Sequence, residues 1–158
     1  MTPHPIIVQP ETRVTRAVVE MSRHKVRQLP VALPHDWGLE LCGIVTCHDL
    51  LRSLPPEAAE AEDVPSEEII VDAVADVMSR EVLTVSPDDP LDRAASLLLE
   101  RRVGALPVVQ GPRLVGILSR GDLLGALVYL LRAQPFLPKI SAKKSFIAAQ
   151  ERRSARGS

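Results

Sequence analysis

The apolar positions between residues 82 and 131 predict five elements in the order strand, helix, strand, strand, helix. A short β-prone run covers residues 82–85, and the apolar runs 106–109 and 113–118 have the length of strands. The first helix is expected to have its N-cap at Asp89 and Pro90 at its first helical position. Its inward face is formed by Leu91, Ala94, Ala95 and Leu98. The second helix is expected to begin at Ser119 and to turn five side chains inward: Leu123, Leu124, Leu127, Val128 and Leu131.

The same order of elements is predicted for residues 6–54. Strands are expected at 6–8, 30–33 and 41–45, with a helix from Thr46 to about Leu54. The other helix has its inward positions at Val14, Ala17, Val18 and Met21. A shift of 77 aligns residues 1–31 with 78–108 at nine identical positions, and a shift of 73 aligns 43–51 with 116–124 at five. The chain is therefore a duplication, and two copies of about fifty residues, each too small to bury a good core, should pack on each other with pseudo-two-fold symmetry.

The charge distribution adds two segments outside the repeat. We divide the chain into repeat 1 (1–54), an acidic linker (55–68), repeat 2 with a lead-in helix (69–131) and a basic C-terminal tail (132–158). The linker has six acids and no base, whereas the tail has seven lysines and arginines against Glu151. The formal net charge of −1 therefore hides +6 on the tail and −7 on residues 1–131.

Three interpretations of the tail stay open: an unfolded segment, a contact with the acidic body of a dimer mate, or a basic helix over residues 141–153 that binds nucleic acid or another polyanion. The start of the chain also has two interpretations. Repeat 2 follows a lead-in helix at 72–77, but Met1 is the counterpart of Met78, so repeat 1 has none. Either the gene begins further upstream, or a neighbouring subunit covers that face.

Composition and motifs exclude several classes of function. No apolar run approaches ~18 residues, so no membrane span is expected, and two cysteines cannot form a disulfide framework, which favours the cytoplasm. The four aromatic residues are too scattered for a nucleic-acid stacking surface: Trp37, Tyr129, Phe136 and Phe146. Catalytic motifs and zinc-ligand spacings are missing from the sequence, so we expect neither an enzyme nor a metal site. Cys42 is expected in a strand core, and Trp37 beneath its own loop, with a partner contact as the alternative for Trp37.

Two motifs that occur in both copies carry a resemblance to a known family. One is a Leu-Pro-Val strand at 29–31 and 106–108, and the other is Gly-apolar-apolar-[Ser/Thr]-x-x-Asp-Leu-Leu at 43–51 and 116–124. With the Met-[Ser/Thr] pair that starts each copy, residues 1–131 resemble the tandem CBS-domain pair, or Bateman module. The resemblance implies an α+β fold of two β-α-β-β-α repeats packed through their small sheets. It also implies a homodimer that needs no cofactor and binds AMP, ADP, ATP or S-adenosylmethionine as a regulatory ligand.

The [Ser/Thr]-x-x-Asp motif places a hydroxyl and a carboxylate together at a helix start, where an anion is favoured. A carboxylate can also accept both hydroxyls of a ribose. The resemblance implies that Asp49 and Asp122 bind ribose, and that Thr46 and Ser119 face phosphate. The same spacing is a capping box that needs no ligand, and both roles can coexist.

The adenine is expected in an apolar slot formed in repeat 1 by Ile6, Ile7, Leu29 and Pro30, and in repeat 2 by Val82, Leu83, Leu106 and Pro107. The site built on Ser119 and Asp122 is favoured because Arg120 is adjacent, and Arg101 and Arg102 precede its Leu-Pro strand. In the other site, positive charge could come from Arg23, Lys25 and Arg27.

Three functions follow from these observations. The leading hypothesis is a stand-alone sensor of an adenosine ligand, whose packing or dimer state controls an unidentified effector protein. The alternatives are a ligand-independent dimerisation and interaction module, and an accessory protein that contacts nucleic acid through the basic tail.

Overall fold

The computed structural model describes residues 1–53 and 73–133, so the acidic linker at 55–68 and the tail beyond residue 133 lie outside the described residues. The chain divides into two compact units, Met1–Leu123 and Leu124–Ser158. The elements are β1 (Thr2–Pro3), α1 (Val14–His24), β2 (Gln28–His35), β3 (Gly38–Thr46), α2 (Cys47–Ser53), α3 (Val74–Val77), α4 (Leu91–Glu100), β4 (Ala105–Gln110), β5 (Arg113–Ser119) and α5 (Arg120–Arg132). Apart from the C-terminal part of α5, all of them belong to the first unit.

The first unit is an α+β fold with one small antiparallel sheet. Its strand order is β1-β5-β3-β2, with β4 also paired to β5. Each copy contributes a hairpin, β2–β3 or β4–β5, and the two hairpins meet through the pair Glu40 and Arg113. The register shifts between Val31 and Ala32 in the first hairpin, and at the equivalent Val108 and Val109 in the second. The pseudo-two-fold repeat in the sequence therefore extends to the irregularities of the strands.

The leading segments of the two copies are exchanged between the hairpins. Thr2 pairs with Ile117 of copy two, and Ser79 pairs with Ile44 of copy one. Each segment passes over the glycine that opens the second repeated motif: a Cβ on Gly43 would lie 2.7 Å from Met78 Sδ, and one on Gly116 would lie 3.0 Å from Met1 Sδ. The shared methionines and glycines thus have a physical cause, because the close approach leaves no room for a side chain.

Each copy has its own hydrophobic core. The first is built around α1 and β2 and includes the predicted inward residues Val14, Ala17 and Met21. The second is built around α4 and β4 and includes Ala94 and Leu98. The lead-in helix of copy two packs into the core of copy one, where Val74 is fully buried and its N–H donates to the Thr12 carbonyl at 2.8 Å.

The predicted first strands at 6–8 and 82–85 are wrong. Each is reduced to one parallel bridge, between Val8 and Val31 or between Val85 and Val108. Prolines follow both valines two residues later, at Pro10 and Pro87. Because proline has no N–H to donate, the ladder cannot continue there.

The predicted cap of α4 is also wrong. The helix begins at Leu91, and the flanking Pro90 has an extended conformation without a side-chain cap. Asp89 instead accepts a hydrogen bond from the Ser86 N–H at 2.8 Å and pairs with Arg93 at 2.7 Å. The carboxylate therefore closes the preceding turn rather than the helix.

The expected inward face of α5 is only partly present. Leu123 packs against the second core, but Leu124, Leu127 and Val128 are exposed. Nearly every position from 123 to 131 is apolar, so the spacing could not select one face of this helix. In the described residues, no helix combines the length and the apolar character that a bilayer crossing requires.

Two single-residue expectations are corrected in the hairpin of copy one. Trp37 is 44% exposed at the hairpin tip and stacks on His35 with ring centroids 4.9 Å apart. A two-residue turn offers no loop under which the indole could lie. Cys42 is half-buried on β3 rather than in the core, and this burial raises the pKa of its thiol.

Candidate functional site

A cleft of about 820 Å³ opens between the two copies within the first unit. Its volume lies within the range of small-molecule sites. Copy one contributes residues from its leading segment, from the start of β2 and from the start of α2, and copy two contributes the start of β4 and the turn from β5 into α5. The lining residues are Thr2, His4, Pro5, Ile6, Lys25, Val26, Arg27, Gln28, Leu29, Pro30, Thr46, Cys47, His48, Arg102, Gly104, Ala105, Ile117, Ser119, Arg120, Gly121 and Asp122.

Both [Ser/Thr]-x-x-Asp motifs form capping boxes of nearly identical geometry. In copy two, Asp122 Oδ2 accepts from the Ser119 N–H at 2.7 Å and from the Ser119 hydroxyl at 2.6 Å. In copy one, Asp49 Oδ2 accepts from the Thr46 N–H at 2.9 Å and from its hydroxyl at 2.6 Å. The reciprocal bonds run from the Asp N–H groups to the hydroxyl oxygens, at 3.1 Å for Asp122 and 3.3 Å for Asp49. The local structural role of the motif is therefore fulfilled in both copies.

This geometry changes what the hydroxyls can do for a ligand. A serine or threonine hydroxyl has one proton, and Ser119 and Thr46 each donate it to their aspartate. A phosphate in the cleft would therefore have to be held by other donors. The second carboxylate oxygen, Asp122 Oδ1, takes no part in the capping box. It accepts a long hydrogen bond from the Thr2 hydroxyl at 3.4 Å.

Asp122 is ionised over a wide pH range. Partial burial raises the pKa of its carboxyl, but the hydrogen bonds from the Ser119 hydroxyl and N–H, the positive charge of the N-terminal amine and the hydrogen bond from Thr2 together outweigh this effect, and the net pKa lies below the usual value. The carboxylate is therefore charged at neutral pH and can accept hydrogen bonds from hydroxyl groups of a ligand.

The remaining charges of the cleft are mostly positive. Four permanent cations line it, Lys25 and Arg27 from copy one and Arg102 and Arg120 from copy two, against the single carboxylate of Asp122. All four cations are exposed, and the Arg120 guanidinium is anchored by a 3.3 Å bond to the Leu98 carbonyl. The imidazoles of His4 and His48 also line the cleft. A cleft with this balance attracts an anion.

The structure places about half of the predicted site residues at the cleft and the others away from it. The cleft is lined by seven of them, Ile6, Leu29, Pro30, Thr46, Ser119, Arg120 and Asp122, whereas Asp49, Ile7, Val82, Leu83, Leu106 and Pro107 are not among its lining residues. Leu29 and Leu106 have their side chains in the two cores. Ser119 and Asp122 line the same cleft as apolar residues of copy one, whereas the prediction grouped them with the apolar residues of copy two. The reason is the exchange of leading segments, which brings Thr2 to Ile117.

Most of the other predicted residues are the repeat counterparts of residues at the cleft. They define a second position, related to the cleft by the pseudo-two-fold symmetry. The alignment shifts place Asp49, Val82, Leu83, Leu106 and Pro107 where Asp122, Pro5, Ile6, Leu29 and Pro30 lie in the first. Lys25 and Arg102 are counterparts of each other, but the other two cations are not repeated. Arg27 is replaced by Gly104, Arg120 by Cys47 and His4 by Glu81. The two positions thus share a capping box but differ in charge.

Four polar residues of the cleft had no role in the sequence prediction. They are Thr2, His4, Gln28 and His48. The signal for Gln28 was available in the repeat itself, because the pair Arg27-Gln28 faces Gly104-Ala105 in the alignment. Thr2 was hidden because nothing in a single copy shows that its leading segment pairs with the other copy.

Comparison with known proteins agrees with the repeat, the fold and the motifs. The family model for the CBS domain matches residues 1–56 and again residues 74–129. A CBS domain-containing protein of Dictyostelium discoideum is 30% identical over 127 residues, which cover 79% of this chain and 86% of that protein. The mitochondrial CBS domain-containing protein CBSX3 of Arabidopsis thaliana is 30% identical over 115 residues, 72% of this chain; the chain spans about half (52%) of that relative.

Among solved structures, the crystal structure of Arabidopsis thaliana CBSX2 in complex with AMP is similar with a TM-score of 0.65 and 32% identity. The match covers 82% of this chain and 93% of that one. Two family matches, placed on the two copies that the repeat defines, account for most of the chain. The protein therefore belongs to the CBS-domain family, as a tandem CBS pair.

Proposed function

We propose that this protein is a non-catalytic regulatory module that binds an adenine nucleotide in the cleft between its two copies. The observation that carries the proposal is the convergence of four cations and the Asp122 carboxylate on one cleft with apolar walls at Ile6 and Pro30. The ionised Asp122 suits a ribose, the cations suit phosphate, and the apolar side chains suit a base. The relative CBSX2, 32% identical, has been crystallised with AMP, which supports the assignment.

The charge balance selects among the adenosine ligands of the family. Without its histidines the cleft carries a net charge of +3. S-adenosylmethionine carries a sulfonium cation next to its ribose, so such a cleft disfavours it. A nucleotide brings phosphates to the same place. We therefore assign AMP, ADP and ATP as the ligand class of the Asp122 cleft, ahead of S-adenosylmethionine.

Regulation follows from the way both copies contribute to the cleft. A nucleotide that bridges Arg27 of copy one and Arg120 of copy two favours the packing in which the two are close. It shifts that equilibrium only through its different affinities for the two packings. In the proposed function, this shift changes a homodimer and thereby controls an effector protein.

Titration calorimetry with AMP, ADP, ATP, adenosine and S-adenosylmethionine tests the proposal. We expect affinity to increase with the number of phosphates and to fall with added salt. Arg27→Gln and Arg120→Gln should each weaken ATP binding about ten- to a hundredfold, since a charged hydrogen bond contributes about 1.5–3 kcal/mol. The control is Arg52→Gln, because the Arg52 side chain is exposed on α2 and does not line the cleft.

The proposal fails if no nucleotide binds, or if the cleft variants bind ATP as well as the control. Light scattering with and without ATP examines the homodimer separately. A dimer that is indifferent to nucleotide favours the alternative, a ligand-independent interaction module. The capping boxes give that alternative its physical basis, because they are complete without a ligand.

A further inference from the structure

One polar group of the cleft has no partner in the fold. Gln28 opens β2 and lines the cleft, and its Nε2 atom is buried without a hydrogen-bond partner among the described residues. Its Oε1 atom lies beside Gly104, where a Cβ would be 3.2 Å away. An amide donor withdrawn from water without a partner is unfavourable, and such a group in a native fold calls for an explanation.

The fold itself does not require an amide at this position. The pseudo-two-fold counterpart of Gln28 is Ala105, which opens β4 in the same way. Both strands pair with their partners from this residue on, Gln28 with Thr46 and Ala105 with Ser119. Because alanine is sufficient to begin β4 in copy two, the amide of Gln28 is not needed to form β2.

The surroundings of Gln28 match the expected place of the base. Alternation along β2 puts Gln28 on the same face as Pro30 and opposite Leu29, whose side chain is in the core. Ile6 provides a further apolar wall of the cleft. Because Gly104 has no side chain, the head of Gln28 can rotate toward the cleft without displacing one.

We propose that the Gln28 amide binds the 6-amino edge of an adenine and makes this cleft selective for adenine over hypoxanthine and guanine nucleotides. A primary amide presents its carbonyl oxygen beside one of its two N–H groups, and this acceptor and donor match the N6 amino group and the N7 acceptor of adenine. Hypoxanthine and guanine present two acceptors at these atoms, so the amide oxygen would face an oxygen. The inference rests on the proposed function and names the chemical feature of the base that the cleft selects.

Calorimetry with AMP and IMP tests this role, since the two differ at the 6-position. The full chain should bind AMP more tightly than IMP by about tenfold or more, because a good bidentate match to a base discriminates against the wrong base by about this factor or more. Gln28→Leu and Gln28→Ala should weaken AMP binding and leave IMP binding nearly unchanged, so that the ratio approaches one. Gln110→Ala, exposed at the end of β4 and outside the cleft, should keep the wild-type ratio.

The outcomes are distinct for the two proposals. Equal binding of AMP and IMP by the wild-type chain, or a preference for AMP that survives in Gln28→Ala, overturns the role of Gln28 but leaves nucleotide binding intact. Binding of neither nucleotide overturns the proposed function and the inference with it. Thermal denaturation of each variant checks its folding, and Gln28→Ala is the safer variant because Ala105 fills the equivalent position.

Discussion

The two aspartates of the repeated motif allow the structural and ligand roles of a capping box to be measured separately. Asp122 and Asp49 have the same local partners, but Asp122 lines the cation-rich cleft and Asp49 does not. We predict that Asp122→Ala and Asp49→Ala lose similar amounts of stability, whereas Asp122→Ala alone loses affinity for nucleotide in that cleft.

The size of each effect follows from the hydrogen bonds. Each Oδ2 accepts two bonds from its capping residue, with donor–acceptor distances of 2.7 and 2.6 Å for Asp122 and 2.9 and 2.6 Å for Asp49. Loss of a helix cap costs about 1 kcal/mol, and partial exposure lets water replace some of the lost bonds, so we expect about 1–2 kcal/mol for each variant. Loss of the Oδ1 contact with a ribose should cost about 1.5–3 kcal/mol of binding, a decrease in affinity of about ten- to a hundredfold.

Urea denaturation without ligand gives the first quantity, and calorimetry with AMP gives the second. Equal stability losses with a selective loss of affinity in Asp122→Ala are the expected pattern. The reasoning is refuted if Asp122→Ala binds AMP like the wild type, or if Asp49→Ala loses as much affinity as Asp122→Ala in the same cleft. A variant far less stable than its counterpart would refute the equivalence of the two boxes.

Two further predictions concern stability. Gly43→Ala should destabilise the fold by about 1–3 kcal/mol, because its Cβ would meet Met78 Sδ at 2.7 Å and the Ser79 carbonyl at 3.0 Å. The control Gly125→Ala, which has open space around its Cβ inside α5, should be neutral or stabilising by up to about 1 kcal/mol. If thermal denaturation showed Gly125→Ala to be the less stable of the two variants, the close approach at Gly43 would be contradicted. The folded-state pKa of Asp122 is depressed below its ordinary value of 3.8, so its contribution is present above that pH and is lost as pH falls through the folded pKa. The stability difference between wild type and Asp122→Ala should therefore shrink in acid, and a difference that stays constant down to pH 2 would count against an ionised cap.

The sequence predicted those parts of the fold in which local pattern and tertiary packing agree. The helical spacing of Val14, Ala17 and Met21 described a face that is buried, and the two hairpins follow their apolar runs. In α5 the pattern of apolar and polar residues does not distinguish one face from another, because almost every position is apolar. The runs at 6–8 and 82–85 have high β-propensity, which predicted strands. The prolines that follow them, Pro10 and Pro87, already indicated that no ladder could extend beyond a single bridge.

The candidate site shows a different limit. Ser119 and Asp122 could be identified from a repeated motif, because each copy displays it in full, and Arg120 was identified because it is adjacent to Ser119. Their neighbours across the cleft could not, since the pairing of Thr2 with Ile117 joins residues more than a hundred positions apart. A duplicated sequence shows what each copy has in common but not which copy's segment lies beside which. The predicted grouping of site residues by copy therefore differs from the set of residues that line the cleft.

The exchange of leading segments also constrains how this duplicated chain can change over time. Thr2 reaches the last strand of copy two, and Ser79 reaches that of copy one, so in the proposed function neither copy alone supplies the complete wall of a nucleotide site. A substitution in the leading segment of one copy therefore changes the surroundings of the aspartate in the other copy. The two positions could diverge in charge, as Arg27 and Gly104 did, but the halves could not become independent units without abandoning both.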